Sequence, residues 1–396
     1  MFGKNISIKS FIINTKPFSF MRSAKKKRYI NQKKSSVIKQ LNTCEYKTPK
    51  LNNLDFLNTD EYRLLMKYKN YKQPFSIETK NSLCQQYDLM IGVPVFNGEQ
   101  YIENCIDSLL SQKTEYSYEI VIVDDGSTDN TRELLKKYDN YNNIRIIRQD
   151  NGGVSSARNQ TLKRITGKYV FFIDSDDELK SNAIQVLLNT AFIYNADIVE
   201  GSYVRFNDDG EFDSHIHKKD DSLNNPDIPL FGFPWGKVIR ADLLETLSFP
   251  EGYIFEDSIC AYCLNEIAKV KYTLPDICYK YRDNQQGICA TSNSSNNAID
   301  TYFVSFHLWS YHYKHFSNSK RFWETVVGQI ILNYYRTKHL PDDILNSAFR
   351  LTQMIYVSIF EEQNDLTEKE KVFDTCMRCG SFNVFCDLVS VWDYWD

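Results

Sequence analysis

The chain has 396 residues, of which 42% are hydrophobic and 14% aromatic, so it can bury a sizeable core, and wholesale disorder is excluded. Its net charge of −4 is uneven: eleven of the 47 basic residues and none of the 51 acidic residues lie in residues 1–40, which leaves −15 on the remainder. A uniformly acidic body argues against a nucleic-acid-binding enzyme, and we expect no nucleic-acid partner.

Residues 1–86 are predicted to form a basic, poorly ordered arm followed by short helices. The runs Lys25-Lys26-Lys27-Arg28 and Lys33-Lys34 fit either a solvated tail or a segment that binds an anionic membrane surface. The apolar stretch Phe11-Ile12-Ile13 is too short for a signal peptide, and no segment reaches the roughly 18 apolar residues that span a bilayer. We therefore expect a cytoplasmic protein, with peripheral attachment to the inner face of the membrane as an open second interpretation.

From Tyr87 onward the sequence alternates between apolar runs and helical spacing, and residues 87–296 are predicted to form one domain. Helices are expected over residues 101–110, 129–138, 154–165 and 182–194, and an aromatic-rich helical region over residues 297–396. The alternation predicts an α/β fold with a mostly parallel sheet flanked by helices. The predicted strands are Leu89–Val95, Glu119–Val123, Ile144–Arg148, Tyr169–Ile173 and Asp197–Phe206.

The ten cysteines form no compact framework and are interpreted as reduced thiols. Two pairs have the spacing of zinc ligands, Cys260/Cys263 and Cys376/Cys379, and together they could supply a four-sulfur site. They lie far apart in the chain, so buried thiols are the alternative interpretation.

Polar motifs follow three of the predicted strands, namely Pro94-Val95-Phe96-Asn97, Asp124-Asp125-Gly126-Ser127 and Asp174-Ser175-Asp176-Asp177. The carboxyl ends of strands in an open α/β sheet are where ligands bind, so the three motifs predict one crevice. Carboxylates as close as those of the third motif repel one another and need a cation, which a divalent metal carrying a phosphate would supply. Asp177 is predicted to cap the following helix instead.

The motifs together resemble those of glycosyltransferase family 2, inverting enzymes of the GT-A fold. The resemblance covers residues 88 to about 290, and it implies a Rossmann-like, mostly parallel mixed sheet with the helical region and the basic arm as additions. It rests on the three strand-end motifs and on Asn151-Gly152-Gly153-Val154-Ser155-Ser156-Ala157-Arg158-Asn159, Trp235-Gly236-Lys237 and Glu256-Asp257.

The resemblance implies a role for each matching residue in binding a nucleotide-sugar donor. Asp125 would accept a hydrogen bond from the base, which favours uracil. Trp235 would offer a platform for a sugar ring, and Lys237 would meet the diphosphate or a carboxylate. The remaining residues implied at the donor are Pro94, Phe96 and Asn97 at the base, Arg158 and Asn159 near the donor, and Asp174 with Ser175 at the metal motif.

The resemblance also implies a metal and a catalytic base. Asp174 and Asp176 would be the family's Asp-x-Asp motif, with Asp176 ligating the metal directly, and their hard oxygen atoms suit Mn²⁺ or Mg²⁺. Asp257 is the candidate base that takes the proton of the acceptor hydroxyl. Glu256 would orient Asp257 or touch the acceptor. The alternative interpretation of Glu256-Asp257 is an ordinary acidic pair at a helix start.

These implications predict an inverting, metal-dependent hexosyl- or N-acetylhexosaminyltransferase. It would move sugar from a UDP-sugar to a hydroxyl of a glycan or lipid-linked saccharide, in surface polysaccharide or lipooligosaccharide synthesis. Two alternatives remain open. A non-catalytic scaffold could bind nucleotide sugar within a polysaccharide assembly complex. A sugar nucleotidyltransferase would have a similar alternation of strands and helices. It needs a Gly-rich loop with a basic residue after the first strand, and Asn97-Gly98-Glu99-Gln100 does not supply one.

Overall fold

The structure, a computed structural model, describes residues 23–70, 75–217, 230–285, 287, 295–361 and 365–395. The chain divides into two compact units. Residues 74–292 form one, called here the α/β unit, and residues 1–73 together with residues 293–396 form the other, called the helical unit. The predicted domain bounds, residues 87–296, stay a prediction; in the structure the two terminal segments of the chain share the second unit.

The α/β unit is built on one sheet. Its strands are β1 (Ser82–Val95), β2 (Tyr118–Asp124), β3 (Ile144–Arg148), β4 (Arg164–Phe172), β5 (Glu178–Leu179), β6 (Ile198–Asn207), β7 (Gly210–His215), β8 (Lys237–Arg240) and β9 (Lys271–Arg282). In the part of the chain that the structure describes, they have the order β3-β2-β1-β4-β8-β6-β9-β5, with β7 paired to β6. The pairs β1–β2, β1–β4, β2–β3 and β6–β9 are parallel. β8 runs antiparallel between β4 and β6.

Helices cover this mixed sheet, and the predicted α/β class is confirmed. The central strands read as continuous apolar runs because both of their faces are buried, as in Phe171 and Phe172, which are 1% and 0% exposed. The main helices of the unit are Ile102–Leu110, Thr131–Leu135, Val154–Leu162 and Ala183–Ile193. A short π-helical turn spans Cys260–Leu264 and continues as Asn265–Ile267.

The boundary between the third predicted helix and the next strand differs from the expectation. The helix ends at Leu162, and β4 begins at Arg164 rather than at Tyr169. Arg164 and Ile165 pair with Ser82 and Leu83 at the start of β1, where the β-branched Ile165 and Thr166 are buried. A strand edge that lies about 80 residues earlier in the chain therefore decides the conformation of this segment.

The helical unit contains helices Ser23–Asn42, Asp60–Lys69, Asp300–His315, Lys320–Thr337, Asp342–Ile359, Glu368–Cys379 and Phe382–Ser390. The described part of the predicted disordered arm is thus a helix, because Ile30, Val37 and Leu41 recur on one face and are buried. That helix contacts helices Glu368–Cys379 and Phe382–Ser390. The aromatic residues of helix Asp300–His315 are core, with Phe303, Phe306 and Trp309 fully buried. Phe11-Ile12-Ile13 lies outside the described residues.

No helix among the described residues is long and apolar enough to cross a membrane. The two Cys-x-x-Cys pairs fall in different units, with free thiols at Cys260, Cys263, Cys376 and Cys379. Within the described ranges, no three His, Cys, Asp or Glu side chains are grouped so as to hold a metal.

Candidate donor and catalytic site

The first two strand-end motifs lie side by side because β1 and β2 are parallel and in register at their carboxyl ends. Val95 pairs with Asp124, and the Asp125 backbone N–H donates to the Val95 carbonyl at 2.8 Å. The Asn97 side chain accepts from the backbone N–H of Thr128 at 2.8 Å, so it ties the two loops together. Pro94 is buried, whereas the Phe96 ring is 48% exposed. Phe96 is therefore the open aromatic face at this edge of the sheet.

Asp125 is a buried carboxylate that holds the next loop. It is 2% exposed, and its Oδ1 accepts from the backbone N–H of Gly152 at 2.9 Å and from Gln149 Nε2 at 2.7 Å. Its Oδ2 accepts from the Gly153 N–H at 2.8 Å. Three of the roughly four acceptor positions of a carboxylate are thereby used within the protein. Asp125 fixes the loop that starts helix Val154–Leu162, and its hydrogen bonds to the described residues use all but about one of its acceptor positions.

The third motif follows β4, whose Phe172 pairs with Gly92 of β1. Asp177 is 1% exposed and accepts from the Tyr279 hydroxyl at 2.6 Å and from the Arg282 N–H at 2.7 Å. Burial and the carboxylates of Asp176 and Asp174 raise the pKa of Asp177 well above its ordinary value. The prediction that Asp177 caps a helix is wrong, since β5 follows it and Asn182 occupies the N-cap of the next helix.

Asp176 lies toward the end of β9. Its Oδ2 accepts from Asn284 Nδ2 at 2.8 Å, and its carbonyl accepts from Arg282 Nε at 2.9 Å. Burial and the carboxylate of Asp174 raise the pKa of Asp176. Ser175 is half-buried between Asp174 and Asp176. Burial and a neighbouring carboxylate thus disfavour the charge of Asp176, and a divalent cation would stabilise that charge.

These side chains fit a magnesium or manganese ion. Asp174 and Asp176 offer hard carboxylate oxygens, and Mg²⁺ is commonly held by one or two carboxylates, with water and substrate phosphates completing its shell. No third protein carboxylate is needed for such a site. Asp177 is committed to Tyr279 and Arg282 and is not available as a ligand.

Arg158 connects the third motif to Glu256. It is 3% exposed, and its Nη2 donates to Asp174 Oδ1 at 2.8 Å while its Nη1 donates to Glu256 Oε1 at 2.5 Å. Burial opposes the charge of Arg158, but Asp174 and Glu256 outweigh it and raise the pKa of the guanidinium. The structure thus joins two motifs that are 82 residues apart, from Asp174 to Glu256, through one buried side chain.

Asp257 follows Glu256 at the start of a helical turn, where its carbonyl accepts from the Cys260 N–H at 2.9 Å. Glu256 is 8% exposed, and Asp257 is half-buried. The neighbouring Phe255 has a φ of 68°, a conformation that an aromatic residue rarely adopts. Strained backbone beside an acidic pair is typical of functional sites.

Three residues predicted near the donor have other partners. Asn159 Nδ2 donates to the Phe249 carbonyl at 2.9 Å. Trp235 is 7% exposed and lies between Phe233 and Tyr279, with ring centroids 4.6 Å away on each side. Lys237 is 1% exposed; it pairs with Glu200, and its Nζ donates to the Phe231 carbonyl at 2.6 Å. Burial therefore gives Trp235 and Lys237 a role in shaping the 230–237 segment.

The sequence interpretation missed several residues that hold the site. Tyr279, Arg282 and Asn284 all contact the Asp174–Asp177 loop, and Glu200 neutralises Lys237. β9 runs parallel to β6, so its polar end reaches the same edge of the sheet. The polar run Arg282-Asp283-Asn284 lies at the end of a strand, as the three predicted motifs do. This position in the sequence is the pattern that would have predicted its residues as part of the site.

Comparisons with known proteins find similarity to glycosyltransferases both in sequence and in fold. Residues 90–247 match the sequence model of glycosyl transferase family 2. Glycosyltransferase GlyA of Streptococcus pneumoniae is 37% identical over 210 residues, which is 48% of this chain and 30% of that protein. Glycosyltransferase GlyG of the same organism is 28% identical over 312 residues, 74% of this chain and 95% of that protein. The chain therefore spans less than a third of GlyA but nearly all of GlyG.

The solved structure of S. aureus TarS residues 1–349 in complex with UDP-GlcNAc is similar in fold, with a TM-score of 0.58 at 16% identity. The similarity covers 77% of this chain and 89% of that one. It confirms the predicted GT-A fold.

Proposed function

We propose, from the match of residues 90–247 to the model of glycosyl transferase family 2, that the protein transfers a sugar from a UDP-sugar to a hydroxyl of a glycan or lipid-linked saccharide. The observation that carries the proposal is the buried Arg158, which contacts both Asp174 of the strand-end motif and Glu256 of the acidic pair. A donor-binding carboxylate pair and a candidate base therefore belong to one site. Synthesis of a surface polysaccharide or lipooligosaccharide is the setting that we propose for this reaction.

The donor would lie across the carboxyl ends of β1, β2 and β4. The exposed Phe96 ring offers a face for the base, and Asp125 has an acceptor position left for a ring N–H, as uracil provides. The fold similarity to a protein solved with UDP-GlcNAc is consistent with a UDP-sugar. Phe233 and Tyr281, which are half-buried around the covered Trp235, are the aromatic surfaces that we propose for a sugar ring.

Asp174 and Asp176 would hold Mn²⁺ or Mg²⁺. When bound, the ion would neutralise the charge that develops on the diphosphate leaving group. Asp257 would take the proton of the acceptor hydroxyl during attack from the opposite face of the sugar, which inverts the anomeric centre. The resulting roles are separable, since Asp176 serves donor binding and Asp257 serves the transfer step.

We expect Asp176→Ala to weaken Mn²⁺-dependent UDP binding by at least tenfold, measured by titration calorimetry, because a direct ligand is lost.

Asp257→Asn should bind UDP with unchanged affinity and lose transfer activity by about 10²- to 10⁴-fold, measured as UDP release in the presence of acceptor. A scaffold instead of an enzyme would bind UDP-sugars in both the wild type and Asp257→Asn, yet release no UDP with any donor and acceptor.

A further inference from the structure

The segment from Phe249 to Asp257, called here the base loop, ends in the acidic pair that the proposed function uses. Its backbone is not held by a regular strand or helix up to Phe255, and Phe255 has a φ of 68°. An aromatic residue in the left-handed region is strained, and it persists only when surrounding contacts impose this conformation. The position of the acidic pair therefore depends on what holds this loop.

Helix Val154–Leu162 holds the base loop with two consecutive side chains. The Asn159 amide both donates to and accepts from the backbone of Phe249. Its Nδ2 donates to the Phe249 carbonyl at 2.9 Å, and its Oδ1 accepts from the Phe249 N–H at 2.7 Å. The same Nδ2 is 2.9 Å from Glu251 Oε1. All contacts of this amide that the structure describes are with the loop, so Asn159 anchors the loop's first residues.

Arg158 anchors the other end of the loop and reaches the metal motif at the same time. Its two Nη atoms separate, one to Glu256 and one to Asp174, at 2.5 Å and 2.8 Å. Its guanidinium carbon also lies 5.5 Å from the centroid of the Phe249 ring. A guanidinium is planar and its nitrogens are at fixed separation, so it sets the distance between two carboxylates, which a lysine ammonium does not.

The helix that carries both side chains is itself held at its first turn. Gly152 and Gly153, which precede it, donate their N–H groups to Asp125. Asp125 follows β2 and is bound to β1 through the Val95 carbonyl. A continuous set of hydrogen bonds therefore runs from the sheet, through this helix, to the acidic pair.

We propose that Arg158 and Asn159 are positioning residues that hold the base loop, with Glu256 and Asp257, at a set distance from Asp174 before any donor binds. The proposal rests on the proposed function. Arg158 orients Asp257 through its contact with the Glu256 carboxylate. Glu256 therefore serves as a partner of Arg158 and does not contact the donor. The metal side and the base side of the site are thereby assembled by the protein fold, and donor binding is not required to bring them together.

The test uses Arg158→Lys, which keeps the charge but cannot span two carboxylates with a rigid fork. A shift of the base by about 1 Å costs up to roughly 100-fold in rate, so we expect kcat to fall 10- to 100-fold while the KM for the donor and the affinity for UDP change less than threefold. Arg240→Lys is the matched control: Arg240 also contacts two carboxylates, Asp197 at 2.5 Å and Asp242 at 2.8 Å, and its replacement should leave kcat unchanged.

Two further variants make the test independent of whether Arg158→Lys folds. Asn159→Ala removes only the amide anchor and should also lower kcat more than it changes the KM. A double-mutant cycle combines Arg158→Lys with Glu256→Gln. The kcat of the double variant should be no lower than that of the more damaging single variant, because both changes break the same contact between Arg158 and Glu256. Additive losses, or a fall in UDP affinity as large as the fall in kcat, would overturn the positioning role.

A readout without catalysis separates this inference from the proposed function. Amide hydrogen exchange in residues 249–257 of the ligand-free protein should be faster in Arg158→Lys and in Asn159→Ala than in the wild type and in Arg240→Lys. Unchanged exchange overturns the inference even if the enzyme is active. Faster exchange in a protein that neither binds UDP nor transfers sugar supports the anchoring of the loop and overturns the proposed function instead.

Discussion

Asp125, Asp174 and Asp177 are carboxylates at strand ends, and each has a different set of partners. Asp125 accepts three hydrogen bonds from the Gln149–Gly153 loop, Asp177 is closed off by Tyr279 and Arg282, and Asp174 shares Arg158 with Glu256. Asp174 keeps a 31% exposed side chain, so it has room for a ligand. At the scale of the residue, Asp174 differs from Asp125 and Asp177 in its exposure, because the other two carboxylates are buried among their partners.

The support given by Asp125 can be measured as stability. Asp125→Asn replaces one acceptor oxygen by an NH₂ group that faces a donor, and we expect the free energy of unfolding to fall by about 1–3 kcal/mol. Urea unfolding followed by circular dichroism gives the value. The control Asp139→Asn, at an exposed position, should change the free energy of unfolding by less than about 0.5 kcal/mol. Equal effects of the two changes would contradict the assigned role of Asp125.

At the scale of the element, the site depends on how closely β4 lies against β1. The two strands are parallel over their length, with an irregularity in the register between Leu83 and Tyr87. Gly167 pairs with Tyr87 there, and a Cβ atom at Gly167 would lie 2.3 Å from the Met90 nitrogen and 2.4 Å from the Tyr169 carbonyl oxygen. Both contacts are with backbone, which cannot turn away as a side chain can. Glycine is therefore required for the strand pairing that brings Asp174 next to the end of β1.

We expect Gly167→Ala to lower the free energy of unfolding by about 1–3 kcal/mol or more, because the added methyl group must push two strands apart. Gly232→Ala is the control, since its nearest heavy atom would be the Ala261 Cβ at an ordinary 3.8 Å. Thermal unfolding of the two variants gives the comparison. A Gly167→Ala protein as stable as Gly232→Ala would show that the β1–β4 pairing tolerates a side chain at this position.

At the scale of the whole molecule, the charge is divided along the chain. The basic residues of the first 40 positions contrast with an acidic remainder, and the described part of that basic region is helix Ser23–Asn42. Lys25, Lys27 and Arg28 are exposed on it, whereas Lys33 is paired with Asp387. We propose that the exposed residues bind an anionic membrane surface, where a lipid-linked acceptor would be presented.

Replacing Lys25, Lys27 and Arg28 by Gln should weaken binding to anionic vesicles on the order of 100-fold, since each basic residue contributes about 1 kcal/mol near such a surface. Co-sedimentation with vesicles containing phosphatidylserine measures the effect, and added salt should reduce wild-type binding. The control replaces Lys113, Arg132 and Lys163, which are exposed on the α/β unit, by Gln. Equal loss in both triple variants would mean that net charge, and not the basic helix, drives binding.

The sequence by itself determined the α/β class and the positions of five strands along the chain, and it predicted the edge of the sheet at which the site lies. Apolar runs that end in Phe96-Asn97, Asp125 and Asp174 mark parallel strands, and the carboxyl ends of such strands meet at one edge whatever the remaining packing. The alternation of elements and the strand-end motifs are local properties, and they can be recognised without knowledge of long-range contacts.

Only the tertiary structure decided which of the recognised residues touch one another. Arg158 meets Glu256 and Asp174, and Lys237 meets Glu200 instead of an open crevice. Likewise, the basic segment becomes a helix because residues more than 300 positions later cover its apolar face. Burial and charge pairing depend on residues brought together from distant parts of the chain, and no local pattern records them.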